Sequence, residues 1–495
     1  MSTSAASAPV PSSFLENVVS YFKEFKVLKE TPREYWGVQL INFLDSTAYF
    51  SLLTIITIFL SEEVRLNDTQ AGYVVTLFTS LTTILLLLSG FITDSLGIRK
   101  SLTLAYVSRA FCTLAVVLLS TSDVGALRTP LIVVSFVLMA PSMAMIQTVF
   151  QSANKRYTND NSRSAGFNLW YLFMNIGAAA SGVMIDVMRL QLHLSSTWIV
   201  GFGLIQSALC LLLMVFFVRR EEQFGNHGEF VEPEQTQAQT EKQKPLAILK
   251  AMVSETAFWR FLSLVTLLLG VRAVFAYMYL LMPKYWLRVM GEQAAIGTLN
   301  TINPILIIAG LILFIPITNK YPIFKMLVYG AILSSLSLFA LVIPWQSMAQ
   351  GLKVLSPILP TGWLDDPMVS AYYGMAVISM IMLSIGEVIW SPKLQEYTAA
   401  IAPEGQEGSY FGLSMIPWFL AKTVASLLSG HMLTRWVPEG ISERLRSGEL
   451  SFWDRPEAMW LILGTVAIAG PILALVFQSW FTRGARWDRD TKTAH

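Results

Sequence analysis

The sequence predicts an all-α membrane protein of twelve transmembrane helices arranged as two six-helix bundles, and three observations support this fold class. Of the 495 residues, 54% are hydrophobic and 14% are charged, whereas soluble domains carry about 25% charged residues. The apolar residues are gathered into runs long enough to cross a bilayer, which takes about 20 residues. A short polar motif also recurs in both halves of the chain, which indicates two related bundles.

The apolar runs set the positions of the twelve predicted spans. In the first half of the chain the spans are residues 35–60, 70–95, 98–121, 129–154, 162–189 and 194–219. In the second half they are residues 257–287, 293–318, 322–346, 369–402, 406–435 and 456–482. This gives five parts: an N-terminal segment (1–34), a first bundle (35–219), a polar linker (220–256), a second bundle (257–482) and a tail (483–495).

The distribution of basic residues predicts the orientation of the chain. They concentrate in both terminal segments, in the linker and in the loops on the same side, among them Lys23, Lys26, Arg99, Lys100 and Arg483. Because Lys and Arg are enriched in cytoplasmic loops, we expect both termini, the linker and the tail to be cytoplasmic. Residues 13–30 place apolar side chains along one helical stripe, which predicts an amphipathic helix on the membrane surface. The expected location is the inner or plasma membrane of the cell.

The loop between the second and third spans carries the motif Gly90-Phe-Ile-Thr-Asp94-Ser-Leu-Gly97-Ile-Arg99-Lys100. A tight turn needs a residue such as Gly97, which tolerates a positive φ. Asp94 can pair with a neighbouring base or with a helix N-terminus. We therefore predict that these five named residues form a gating loop. The alternative is a loop that only follows the positive-inside distribution.

A second copy of the motif lies between the eighth and ninth spans. At an offset of 225 residues, Ile317, Thr318, Ile323 and Lys325 repeat the residues of the first copy, although Asn319 replaces the acid. The first copy resembles the loop signature of the major facilitator superfamily, Gly-x-x-x-Asp-x-x-Gly-x-Arg-Lys. This resemblance implies the major facilitator fold, with gating confined to the first copy.

Five ionisable side chains lie near the middle of predicted spans, where charge is costly and usually functional. They are Asp45, Arg109, Arg272, Glu387 and Lys422. A carboxylate in a low-dielectric cavity can exchange protons near neutral pH, so Asp45 and Glu387 are the predicted proton-coupling residues. Arg109, Arg272, Lys422 and Glu387 are predicted to bind substrate. An ion pair that only holds the helices together, such as Glu387 with Lys422, is the alternative.

Aromatic and amide side chains on the same spans complete the predicted substrate site. They are Tyr49, Tyr171, Asn175, Trp390 and Trp418. Most aromatic residues in such spans pack or lie at the membrane interface, so simple packing is the alternative for each of them.

Two further stretches resemble signatures of the proton-coupled oligopeptide transporters, which belong to the same superfamily. Residues 167–177, with Tyr171, Asn175 and Gly177, are similar to that family's fifth helix, and Gly386-Glu387-Val-Ile-Trp390-Ser391 is similar to its tenth. The resemblance implies that Glu387 faces the substrate and meets a peptide amino group.

The first helix departs from that family's pattern, Glu-x-x-Glu-Arg-Phe-x-Tyr-Tyr. The matching residues are Asn42, Asp45, Ser46, Tyr49 and Phe50, so one acid and the arginine are missing. The family's fourth-helix lysine has no counterpart in residues 143–147 either. The resemblance therefore implies a divergent relative.

Together these patterns predict proton-coupled symport of a small peptide or peptide-like zwitterion by alternating access. Proton-coupled export of amphiphilic compounds and a non-transporting receptor of the same fold remain the alternatives. No nucleophile–base arrangement, metal-ligand spacing or nucleotide motif is present, so neither an enzyme nor a cofactor is expected. The expected partners are substrate, protons and the lipid bilayer; no nucleic acid is expected, and the chain is expected to be a monomer.

Overall fold

The structure, a computed structural model, describes most of both bundles. The described residues are 19, 23, 25–159, 161–220, 222–225, 230–231, 254–313, 321–354, 365–401 and 407–483, without the side chains of 87, 88, 90, 91, 94, 95, 257, 399, 400 and 407–419. The predicted amphipathic helix, most of the linker and the C-terminal tail lie outside this part of the chain.

Six long helices build the first bundle, which we call the N-bundle. They are α1 (Arg33–Glu62), α2 (Asp68–Leu96), α3 (Ile98–Thr121), α4 (Arg128–Arg156), α5 (Arg163–Asp186) and α6 (Ser196–Phe217). Local sequence sets their ends. Asn67 and Gln70 form a reciprocal capping box that starts α2, which satisfies two backbone donors that have no partner within the helix. Before α1, a 3₁₀ helix (Phe25–Glu30) buries Leu28.

The second bundle, the C-bundle, follows a short hairpin of strands β1 (Gln223–Phe224) and β2 (Phe230–Val231). Its helices are α7 (Thr256–Leu267), α8 (Leu269–Leu280), α9 (Met282–Met290), α10 (Ile296–Leu313), α11 (Ile323–Leu336), α12 (Trp345–Val354), α13 (Pro367–Ile401), α14 (Glu407–Trp436), α15 (Ile441–Ser447), α16 (Pro456–Val476) and α17 (Gln478–Thr482). A π-helical turn, Val187–Gln191, extends α5, and a 3₁₀ helix, Ser337–Val342, extends α11.

The twelve predicted spans each correspond to a helix or to a consecutive group of helices. In the described residues, ten helical segments are long and apolar enough to cross a membrane, and the bent pair α7–α8 makes an eleventh. The remaining predicted span coincides with α14, which has 30 residues. At about 1.5 Å per residue, α14 is long enough to cross the hydrocarbon core. The fold class predicted from the sequence is confirmed.

The seventh predicted span is not the single helix expected over 257–287. It is divided into α7, α8 and α9, and α7 and α8 are bent by 41°. The second break has a physical cause in Pro283, which lies in the first turn of α9. Proline has no backbone N–H and its ring clashes with the preceding turn, so α8 ends at Leu280. Between the ninth and tenth predicted spans the structure also has a short helix, α12, which was not predicted from the sequence.

The bundles meet through two main helix pairs, α2 with α14 and α5 with α10, and α1 also contacts α8 and α9. We call the end of the molecule that carries the α1–α2 connection the distal end. The opposite end, where α1 begins and where α2 joins α3, is the terminal end. One buried hydrophobic cluster joins the distal half of the N-bundle to the C-bundle. A second, which includes Tyr35 and Tyr157, is confined to the terminal half of the N-bundle. The bundles therefore share a core at the distal end.

Candidate substrate site and gates

Asp45 and Arg109, predicted to carry protons and to bind substrate, form an ion pair inside the N-bundle. Arg109 Nη1 donates to Asp45 Oδ1 over 2.7 Å. The exposed fraction is only 2% for Arg109 and 3% for Asp45. Arg109 also donates to Ser207 Oγ over 3.1 Å and to Gln206 Oε1. The Tyr106 hydroxyl donates to Asp45 over 3.2 Å. The opposite charges of Asp45 and Arg109 thus neutralise each other within one bundle, and the side chains that bond to the pair come from α3 and α6.

A small cavity beside Arg109 is also internal to the N-bundle. Its lining comes from α1, α3, α4 and α6, and includes Ala48, Thr113, Met143 and Gly203. No residue of the C-bundle contributes to this lining. The Asp45–Arg109 pair therefore lies away from the interface between the bundles.

Glu387 lies on α13, where it faces α10. Asn303 Nδ2 donates to Glu387 Oε2 over 3.0 Å and to Ser384 Oγ over 3.1 Å. The Asn303 amide is itself buried, whereas the Glu387 side chain is partly exposed. One amide therefore holds the carboxylate in place and leaves its other oxygen available to a cationic group.

Arg272 on α8 connects Glu387 to the aromatic residues of the site. Its guanidinium lies 4.8 Å from the centre of the Trp390 ring, a distance typical of a cation–π contact. Arg272 is also within electrostatic range of Glu387 and of Tyr171 on α5. The Trp390 indole donates to Ser334 Oγ over 3.2 Å, so the ring is held from the α11 side.

Lys422 on α14 contacts the N-bundle. Its ammonium group donates to the Tyr49 hydroxyl over 3.3 Å and lies 6.0 Å from the centre of that ring. Tyr279 on α8 is within electrostatic range of Glu387, Tyr49 and Tyr171. Tyr279 is therefore near two groups, Glu387 with Arg272 and Tyr49 with Lys422. We call the side chains of Tyr49, Tyr171, Arg272, Glu387 and Lys422 the central site. It lies between the two bundles, near the middle of the spans.

The remaining predicted site residues take different positions. Asn175 is buried and donates to the Tyr171 backbone oxygen over 2.9 Å, one turn earlier on α5. Its amide nitrogen therefore supports the backbone that carries Tyr171. Trp418 belongs to α14, but its side chain lies outside the described part of the chain.

At the distal end, Asp68 joins the bundles through two cations of α9. Lys284 Nζ donates to Asp68 Oδ1 and to Ser61 Oγ. Arg288 donates to both Asp68 oxygens, over 2.7 and 3.0 Å. We call Asp68, Lys284 and Arg288 the distal clamp. Because these side chains are mostly buried, their charges are screened less than those of surface ion pairs.

A close helix contact closes the distal end beside the clamp. Gly182 on α5 and Gly297 on α10 approach so closely that a Cβ at either position would overlap the backbone oxygen of the other. Asp186 accepts hydrogen bonds from the backbone nitrogens of Gly297 and Thr298, over 2.9 and 2.6 Å. The negative carboxylate thus caps the positive N-terminus of α10, and α5 is fixed to α10.

The predicted gating loop lies at the terminal end. Gly97 joins α2 to α3 with a φ of +80°, which confirms that the turn requires a positive φ. Arg99 and Lys100 are exposed. The side chain of Asp94 lies outside the described residues, so the gating role of this loop stays a prediction. Among the hydrogen bonds between described residues, those that join the bundles lie at the distal end or near the middle, as between Ser80 and Thr423.

Several of these residues were not among those predicted from the sequence. Asp68, Lys284 and Arg288 are charges at helix ends, where a solvated position is the ordinary expectation. The sequence feature that could have identified them is the presence of an acid and two bases near helix ends on the same side of the membrane. Asn303 carries no charge and had no motif. The described residues contain no group of three side chains able to hold a metal ion.

Comparisons with known proteins show which proteins share this fold. A crystal structure of the peptide transporter POT in complex with sulfate matches with a TM-score of 0.66 at 15% identity, over 92% of this chain and 96% of that chain. A POT family transporter in complex with 5-aminolevulinic acid matches with a TM-score of 0.65 at 14% identity, over 91% of this chain and 97% of that chain.

A bacterial homologue of the human drug peptide transporters matches with a TM-score of 0.64 at 13% identity, over 91% of this chain and 99% of that chain. At these identities the likeness shows a shared fold. No curated protein matches the sequence. The family model of the Major Facilitator Superfamily matches residues 38–362, more than half of the chain. The chain is therefore an integral membrane protein that belongs to the major facilitator superfamily.

Proposed function

We propose that this protein is a secondary active transporter that moves a small peptide or peptide-like zwitterionic solute together with protons. The observation that carries the proposal is the central site, where Glu387 with Arg272 and Lys422 with Tyr49 lie between two bundles closed at the distal end. A carboxylate and two cations near the middle of a membrane can bind the opposite charges at the two ends of such a solute.

The recognition of substrate divides between the bundles. Glu387, oriented by Asn303, accepts the substrate ammonium group, and Arg272 and Lys422 bind carboxylate oxygens. Arginine offers a planar pair of donors to a carboxylate, and lysine offers a point charge. Tyr49 comes from the N-bundle and contacts Lys422. Substrate binding therefore depends on both bundles at once, as alternating access requires.

Proton coupling is assigned to Glu387. Of the two carboxyls predicted to carry protons, Glu387 is the one that lies in the central site, where a proton and the substrate can cross the membrane together. Asp45 was the other candidate. Its position in a closed pair with Arg109 favours a counter-ion role for it, because protonating Asp45 would leave a buried guanidinium unpaired.

The solved structures similar to this chain support the proposed transport function. The structures that this chain resembles are described as a peptide transporter, a POT family transporter and a homologue of drug peptide transporters. Alternating access would open the terminal end while the distal clamp is closed, and break the clamp when the terminal end closes. We propose that Gly90, Asp94, Gly97, Arg99 and Lys100 hold that second, closed state.

Uptake into proteoliposomes tests the proposal. The purified chain is reconstituted, an inward proton gradient is imposed, and accumulation of a labelled dipeptide pool is followed with and without a protonophore. We expect accumulation above the external concentration that disappears when the protonophore is added, and none in protein-free vesicles. Accumulation only of dyes or drugs in inverted vesicles would point to an exporter. The absence of proton flux with every solute would overturn the transport function.

A further inference from the structure

A series of polar side chains leads from the distal clamp towards the central site. On α1, Thr54, Thr57 and Ser61 follow one another at steps of three and four residues, so they lie on one face of the helix. Ser61 accepts a hydrogen bond from Lys284 of the C-bundle. Asn300 Nδ2 of α10 donates to Thr54 Oγ1 over 3.3 Å. This face of α1 is therefore turned towards the C-bundle, and it extends over about 10 Å along the helix axis.

The series continues on α10 as far as Glu387. Asn303 lies three residues after Asn300, on the same side of α10, and donates to Glu387 Oε2 over 3.0 Å. We call the five uncharged side chains the polar row: Ser61, Thr57, Thr54, Asn300 and Asn303. The last four are only 1–6% exposed. The polar row thus runs through the interior of the protein and connects the clamp to a carboxylate of the central site.

Two oxygens of the polar row have no hydrogen-bond partner among the described residues. They are Thr57 Oγ1 and Asn300 Oδ1. Neighbouring hydroxyls on α1 differ, because Thr47 and Ser51 donate to carbonyl oxygens of their own helix. A buried oxygen without a partner is costly, and internal water usually satisfies such atoms. Neighbours on one helix face are about 5–6 Å apart, so one water between them makes the row continuous.

A cation lies at the distal entrance of the polar row. Lys284 Nζ donates to Ser61 Oγ as well as to Asp68, and its side chain is mostly buried. Arg288, the other base of the clamp, bonds to Asp68 and to the Val437 backbone oxygen. Its hydrogen bonds to described residues do not reach the row. A positive charge at the mouth of a narrow polar path excludes protons, as it does in water channels.

We propose that the polar row is a proton path from the distal side to Glu387, and that Lys284 closes it while the clamp is intact. A proton enters as a hydronium ion at Ser61. Each water or hydroxyl accepts one proton and passes on another, Asn300 orients water, and the Glu387 carboxylate takes the last proton. When the clamp opens, Lys284 leaves Ser61 and the path is available. This inference rests on the proposed proton coupling at Glu387 and adds a path and a barrier to it.

Proton flux in the absence of solute tests the inference. Vesicles that contain the purified chain and a pH-sensitive dye receive an inward proton gradient, with valinomycin and potassium to balance charge. The wild-type protein should leak little more than protein-free vesicles. Lys284→Met should raise the leak about tenfold or more, because a unit charge beside a partly desolvated path repels a hydronium ion by at least this factor. Lys284→Arg keeps the charge and should keep the low leak.

Control variants assign the leak to the entrance and to the row. Arg288→Met removes the other cation of the clamp and should leave the leak low. Added to Lys284→Met, Thr57→Val removes one hydroxyl with little change of shape and should return the leak close to the wild-type level. Thr121→Val is its matched control, because Thr121 is exposed and donates to its own helix; the leak should stay high. If Lys284→Met does not fold, Lys284→Gln also lacks the charge and replaces it throughout.

The outcomes separate this inference from the transport proposal. A wild-type leak in folded Lys284→Met overturns the barrier, and equal leaks in Lys284→Met and Arg288→Met overturn its assignment to Lys284. A leak that survives Thr57→Val overturns the path. Dipeptide uptake is measured on the same preparations, and normal wild-type uptake alongside any of these results leaves the transport proposal intact. A leak that depends on Thr57, without uptake of any solute, overturns the transport proposal and supports the path.

Discussion

Arg109 and Asp45 pair over 2.7 Å across α3 and α1, and both helices belong to the N-bundle. Two of the five midplane charges predicted to serve transport therefore satisfy each other within one bundle. Ser207, Gln206 and Tyr106 complete the hydrogen bonding of the pair. A fully bonded pair of this kind makes the loss of one partner far more damaging than the loss of both.

The first prediction concerns this pair. Asp45→Asn should lower the free energy of unfolding by about 3–5 kcal/mol, because Arg109 keeps its buried charge without a carboxylate. The double variant Asp45→Asn/Arg109→Gln should recover much of this loss. Thermal unfolding of the purified protein in detergent measures both. If Asp45→Asn instead unfolds like the wild type and loses gradient-driven accumulation but not counterflow exchange, then Asp45 carries the coupling proton.

The second prediction concerns the distal clamp. Asp68→Asn removes the mostly buried carboxylate that pairs with both Lys284 and Arg288 and joins the two bundles, so the distal end should open more often. Spin labels at the exposed positions Arg65 and Glu443, one on each bundle, should shift to longer distances. The control variant Asp123→Asn removes an exposed acid from another distal loop, where Asp123 accepts a hydrogen bond from the Gly125 backbone. An equal shift in both variants would exclude the clamp.

The third prediction concerns the contact of α5 with α10. In Gly297→Ala the new Cβ would lie 2.9 Å from Asp186 Oδ1 and would overlap the Gly182 backbone oxygen. The two helices must separate, so we expect transport to fall about tenfold or more, equivalent to about 1.4 kcal/mol, while the protein still folds. Gly203→Ala is the control, since its Cβ would come no closer than 3.8 Å to Thr113. Normal transport by Gly297→Ala would show that the close contact is dispensable.

The fourth prediction concerns the loop at the terminal end. Asp94→Asn should slow transport and leave equilibrium binding of substrate largely unchanged, because the proposed lock acts on the conformational balance and not on the central site. Uptake rate and binding affinity are measured on the same preparation. Substitution of Asn319, in the second copy of the motif, should matter less. A wild-type uptake rate in Asp94→Asn would refute the lock.

The fold could be predicted because hydrophobic runs and their boundaries depend on local sequence. The helix ends of α1, α3 and α6 lie within a few residues of the predicted spans, since apolar length and polar loops determine them. The break before α9 was missed, although Pro283 was visible, because membrane helices often tolerate proline.

The site was predicted less completely, because pairing depends on which helices become neighbours. The sequence identifies Asp45 and Arg109 as midplane charges, but it does not show that α1 and α3 bring them together. It also suggests Glu387 as the ion-pair partner of Lys422, because the sequence does not show which helices pack against α14. Only the packing of α14 against the first bundle places its ammonium group on Tyr49.

The last prediction concerns Glu387, whose observed hydrogen bond comes from Asn303 while Lys422 donates to Tyr49. If Glu387 binds the substrate ammonium group, Glu387→Gln should fold normally. It should weaken the binding of amino-bearing substrates by about 2–3 kcal/mol, the usual contribution of a desolvated hydrogen bond between charged groups. Analogues without the amino group should bind almost as before. Binding to the purified protein, measured by calorimetry, gives both affinities.

The same variant tests proton coupling, because glutamine cannot take up the proton. Glu387→Gln should lose accumulation driven by the proton gradient and keep counterflow exchange at high substrate concentration. Glu396→Gln is the matched control on the same helix; Glu396 pairs with Lys393 away from the central site, so accumulation should persist. Equal losses for ligands with and without the amino group, together with rescue by Glu387→Gln/Lys422→Met, would leave Glu387 as a structural counter-ion of Lys422. In that case the coupling proton must be sought on another acid.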